Sequence, residues 1–102
     1  MTPDGWRRLA LSLPDTKEGE HMDHPDFRVH GKIFATIHPD DQWGVVMLSP
    51  RQQREFVKAD PKAFVPISGG WGKMGIKVLL KAVKVPAARA ALRQAWLNKS
   101  GV

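Results

Sequence analysis

Between Phe27 and Leu48 the chain carries three short apolar runs, Phe27-Arg28-Val29, Ile33 to Ile37 and Gly44 to Leu48, each bounded by turn residues. Runs this brief, rich in β-branched residues and separated by His30-Gly31 and Pro39-Asp40-Asp41, suit strands better than helices. Strands joined by such short connections pair antiparallel, so a meander is expected at the centre of the fold. Its register stays open on the residues alone. A two-residue turn sets Val29 opposite Lys32 and Phe27 opposite Phe34, whereas a three-residue turn sets Val29 opposite Ile33. A slip of one residue exchanges the faces. The polar stretch Thr16 to Met22 reads as an edge strand at best.

Helical signals flank the meander. Thr2-Pro3-Asp4 combines a capping hydroxyl, a proline suited to the first turn and an acid that complements the helix dipole. Trp6, Leu9, Ala10 and Leu13 then recur on one helical face, and Pro14 ends the helix. Ser49-Pro50 repeats the signal and opens a helix to about Ala59, with Phe56 and Val57 as its apolar contacts and Asp60-Pro61 as its stop. Ala63 to Ile67 reads as a short extended piece and Ile76 to Leu80 as the last strand. The final helix runs from Pro86 to about Asn98, with Ala88, Leu92, Ala95 and Trp96 on one face and no good N-cap. The expected class is α+β: an antiparallel sheet packed against about three helices. The 102 residues suit one domain spanning residues 1–102.

Charge narrows the partners. Residues 1–50 hold five basic and eight acidic side chains, a balance of −3, and residues 51–102 hold eleven basic and two acidic ones, a balance of +9. Nothing acidic follows Asp60. Such asymmetry points to a polyanionic partner, nucleic acid or an acidic protein. Lys77 and Lys81 share a strand face if the strand reaches that far, and Arg89 and Arg93 stand one helical turn apart, away from the apolar stripe. With Lys73 and Lys84, and with Arg28 as a further contact from the meander, they form the candidate phosphate-binding set. Trp71, in the glycine-rich stretch Gly69 to Gly75, would offer a base a stacking surface if exposed. The stretch is not a phosphate loop, because Met74 follows Lys73 where serine or threonine is needed.

Other chemistry finds little support. The absence of cysteine excludes disulfides, thiolate metal sites and thiol nucleophiles. His21, His24, His30 and His38 lack the third ligand and supporting shell that a metal site needs, so neither metal nor cofactor is expected. No nucleophile accompanies the histidines and acids in a recognisable arrangement, and no enzyme is expected. A small-ligand pocket around His24, Arg28 and Trp71 is the weakest of the functional readings. No apolar run has the length of a membrane span, and Met1 to Gly5 lacks a secretory pattern, so a cytoplasmic protein without membrane contact is expected.

The blocks Leu11-Ser12-Leu13-Pro14-Asp15-Thr16-Lys17-Glu18-Gly19-Glu20-His21, His24-Pro25-Asp26-Phe27-Arg28-Val29, Gly31-Lys32-Ile33-Phe34-Ala35, Ala63-Phe64-Val65-Pro66 with Gly69-Gly70-Trp71-Gly72, and the closing Ala95-Trp96 resemble the MmcQ/YjbR family. The resemblance implies a CyaY-like fold, also described as a double-wing motif, and a DNA-binding label common among members. It supplies no catalytic residues to carry over. The chain departs from the family at Ile76, where members often have an aromatic residue, and at Val85-Pro86, where the last helix often begins with an acid.

Overall fold

In the computed structural model, which describes residues 1–67 and 74–101, the elements follow the order expected from sequence. Helix α1 spans Pro3–Leu11, and Thr2 caps it by accepting from the Gly5 amide. Strands β1 (Thr16–His21), β2 (His24–Val29), β3 (Lys32–His38) and β4 (Trp43–Met47) form the meander. Helix α2 (Pro50–Ala59) begins with a full capping box, in which Ser49 and Gln52 satisfy each other's backbone amides. Strands β5 (Phe64–Pro66) and β6 (Gly75–Leu79) lead to α3 (Val85–Ser100), whose N-cap, Lys84, makes no side-chain cap bond.

The six strands form one antiparallel sheet in the order β1-β2-β3-β4-β6-β5. The chain thus leaves the meander through α2, lays β5 at the far edge and returns β6 between β5 and β4. Helices α1 and α3 pack over the meander, and α2 packs at the β5 edge. The core lies beneath α1 and α3, where Trp6, Ala10, Ala88, Ala91, Leu92 and Ala95 meet Phe27, Val29, Ala35, Ile37, Val46, Ile76 and Val78. By strand alternation, the residues between these point to the opposite face.

The open register resolves into a two-residue turn followed by a bulge. His30 and Gly31 both take positive φ, 51° and 78°, as a type I′ hairpin turn requires. Val29 pairs with Lys32 and Arg28 with Ile33, but Phe27 then pairs with Ala35, leaving Phe34 as the extra residue. The bulge lets consecutive Phe34 and Ala35 both enter the core. A second two-residue turn, Met22-Asp23 with φ of 51° and 68°, joins β1 to β2. Non-glycine residues in this region are uncommon, and the sequence carried no glycine to mark the turn.

Candidate functional site

The proposed basic residues divide between two sides of the protein. Lys77 alternates with the core residues Ile76 and Val78, so it projects from the sheet face opposite α1 and α3, the face that also carries Arg28. Arg89 and Arg93 are exposed on α3, whose inward positions are Ala88, Ala91, Leu92 and Ala95. Strand β6 stops at Leu79, so alternation does not carry to Lys81, which stands exposed in the turn before α3 with Lys84 close behind it. Lys81, Lys84, Arg89 and Arg93 therefore follow one segment, and Lys77 and Arg28 lie apart from it. Trp71 and Lys73 fall outside the described residues.

Among the described residues the ion pairs are Arg7–Glu18, Arg8–Asp4, Arg28–Asp26 and Arg51–Glu55, and His30 Nε2 lies 3.7 Å from the Asp15 carboxylate. Lys62, Lys81, Lys84, Arg89 and Arg93 have no carboxylate within 4.0 Å among those residues. A cavity of about 800 Å³ opens beside them, floored by Phe56, Phe64, Ala82 and Ala87 and rimmed by Lys62, Lys84 and Asp60. The two phenyl rings stand 5.0 Å apart, centroid to centroid.

The sheet face opposite the helices holds a different arrangement, built from register. His21 pairs with His24 and His38 pairs with Trp43, so these rings line up across β1 to β4. Their centroids stand 6.3 Å (His21–His24), 4.1 Å (His24–His38) and 3.8 Å (His38–Trp43) apart. The Lys77 ammonium lies 4.4 Å from the Trp43 ring centroid. Strand β4 runs between β3 and β6, so His38 and Lys77 flank the indole from opposite sides. This packing leaves Trp43 poorly placed to stack on a base.

The surroundings of His38 in that row disfavour its protonation. Burial, then the neighbouring His24, push its pKa below the ordinary 6.5; Asp41 opposes the shift and Lys77 adds to it. A histidine whose folded pKa is lowered contributes stability that is fully present above the unfolded value, about 6.5, and is lost as pH falls from there toward the folded value. Thermal midpoints should therefore drop between pH 7.5 and pH 5.5. In a His38→Phe variant, which keeps a stacked ring without the titrating nitrogen, the drop should be smaller. Parallel wild-type and variant curves would contradict this account of His38.

One row along the same face, Asp26 is fully buried. Its carboxylate accepts from Arg28 Nε at 2.9 Å and from Nη2 at 3.0 Å, a bidentate pair between residues two apart on one strand. Gly19, opposite Asp26 on β1, makes room for it. A Cβ there would stand 2.8 Å from Asp26 Oδ1 and 3.0 Å from Arg28 Nε. Thr36, directly across from Asp26 on β3, has a buried hydroxyl with no partner among the described residues, as has Nδ1 of His24. Among the described residues no group of three or more histidines, cysteines or acids could hold a metal ion. The same residues contain no helix long and apolar enough to cross a membrane.

Neither the Asp26–Arg28 clamp nor the part played by Trp43 was evident from the sequence. Alternation alone puts Asp26 and Arg28 on one face and could have exposed the clamp. The His38–Trp43 pairing needed the register.

The YjbR family model matches residues 11–98, most of the chain. The chain belongs to the YjbR family. No curated protein matches it in sequence. Among solved structures, a DUF419 domain protein of Deinococcus radiodurans superposes with a TM-score of 0.79 at 23% identity, over 99% of this chain and 81% of the other. A structural-genomics protein of Pseudomonas syringae gives a TM-score of 0.74 at 15% identity, over 97% of this YjbR chain and 99% of the other. At these identities the likeness establishes the fold alone. The fold of this YjbR protein is thus that of its structural neighbours, an antiparallel sheet with helices on one face.

Proposed function

We propose that this YjbR protein binds nucleic acid, duplex DNA in the first instance, through phosphate contacts from Lys81, Lys84, Arg89 and Arg93. One observation carries the reading: these cations are exposed along a single segment and, among the described residues, have no carboxylate within 4.0 Å. Cations left without internal partners are available to displace the counterions condensed on DNA. They supply affinity and orientation without reading bases, so little sequence preference is expected. Lys77, engaged with Trp43, and Arg28, engaged with Asp26, stand outside this contact set.

Fluorescence anisotropy of a labelled duplex tests the reading. The expected dissociation constant lies between roughly 10⁻⁴ and 10⁻⁶ M near physiological salt, the range of non-specific binding. No binding even at low salt would refute it. A second reading, an interaction domain for an acidic protein, draws on the cavity beside α2. An acidic segment could seat an apolar side chain over Phe56 and Phe64 while Lys62 and Lys84 meet its carboxylates. Binding of such a peptide more tightly than duplex DNA at physiological salt, weakened by Phe56→Ala, would favour that reading.

A further inference from the structure

The β1–β2 hairpin carries a cationic groove separate from the α3 surface. A buried ion pair adds little stability over apolar residues of the same size, so energetics alone do not explain the Asp26–Arg28 pair. Its geometric effect is definite: it holds the guanidinium in one plane. Of the five N–H groups of Arg28, Asp26 takes two. The other three have no partner among the described residues, and 38% of the side chain is exposed. Arg28 lines a groove of about 570 Å³ together with Asp15, Lys17, His30 and Gly31.

The opposite wall is also cationic. Lys17 is the direct cross-strand partner of Arg28, and like charges so placed repel. Lys17 has no carboxylate within 4.0 Å among the described residues. His30 Nδ1 donates to the Ser100 carbonyl at 2.9 Å, which fixes the ring and leaves Nε2 toward the groove, 3.7 Å from the Asp15 carboxylate at its rim. Nothing lies within 4 Å of where a Gly31 side chain would begin, so that side of the groove stays open.

We infer that this groove binds the phosphate of a small phosphate monoester. The free edge of Arg28 takes two phosphate oxygens side by side, and the Lys17 ammonium takes the third. A carboxylate has only two oxygens and would satisfy Arg28 alone. A phosphodiester has two free oxygens, one negative charge and a chain on both sides, which suits an open surface better than this groove. The bound dianion relieves the repulsion between Lys17 and Arg28. This inference does not depend on the DNA reading, because the residues differ.

Amide chemical shifts in a titration with phenyl phosphate test it, with dimethyl phosphate and acetate as comparison ligands. Phenyl phosphate should give saturable shifts at Lys17, Arg28, His30 and Gly31, with a dissociation constant on the order of a millimolar or below. Lys17→Ala, an exposed position, should weaken binding by about 10- to 100-fold, the worth of one charge-assisted hydrogen bond. Arg28→Lys keeps the charge but not the fork and should also weaken it. If that variant is unstable, Lys17→Ala carries the test. Equal binding of all three ligands, no saturable shift at these residues, or unchanged affinity in Lys17→Ala would overturn the inference.

Discussion

A Trp6→Ala variant is expected to lose about 3–5 kcal/mol of stability, a large part of what a domain of this size has. Trp6 is fully buried and its indole N–H donates to the Thr36 carbonyl at 2.9 Å, joining α1 to the middle of the sheet. Truncation leaves both a cavity and a buried carbonyl with one partner fewer. The complementary test is Gly44→Ala. A Cβ there would stand 2.7 Å from Trp6 Cε2 and 2.9 Å from the Thr36 carbonyl oxygen. The second contact is backbone, so the strand itself must move, at about 1–3 kcal/mol or more. Urea denaturation measures both. A Gly44→Ala midpoint equal to that of the wild type would contradict the close seating of Trp6 on β4.

The Asp26–Arg28 pair should respond asymmetrically to truncation. Arg28→Ala leaves the buried Asp26 carboxylate without its partner and is the more destabilising of the two truncations. Asp26→Ala costs less, because the partly exposed Arg28 side chain can turn to water. Replacing both at once, with Leu at 26 and Met at 28, should recover much of the loss, since no buried charge is then stranded. Thermal denaturation of the three variants checks the order. A larger loss for Asp26→Ala than for Arg28→Ala would mean that Arg28, and not Asp26, is the stranded partner. Gly19 belongs to the same unit, and a side chain there would have to displace the clamp.

Helix positions were legible because each start was marked by local chemistry. Thr2 and Ser49 stand before prolines and cap α1 and α2 as their types suggest, and the weak cap expected for α3 is weak. The strands were legible from short apolar runs, and Thr16–His21 proved to be the edge strand that its polarity implied. What was hidden depends on pairing between distant residues. The bulge at Phe34 satisfies the core, and no local signal specifies it. The insertion of β6 between β4 and β5 is a tertiary choice. The stack of His24, His38 and Trp43 exists only once the register is known, and the spacing of His21 and His24, which suits a helical face, belongs instead to a hairpin end. The basic set likewise read as one surface along the chain, but alternation in β6 turns Lys77 to the far side of the sheet.

If exposed cations of the α3 segment hold DNA phosphates, the salt dependence of binding must report how many do so. Four contacts predict a slope of log affinity against log salt of about −3 to −4 on duplex DNA. In an Arg89→Glu/Arg93→Glu variant the slope should shrink by about two contacts' worth and affinity should fall, whereas Lys77→Ala should leave the slope unchanged. If instead the double reversal left affinity and slope as they were, or no duplex bound at any salt concentration, the assignment of this surface to nucleic acid would be wrong.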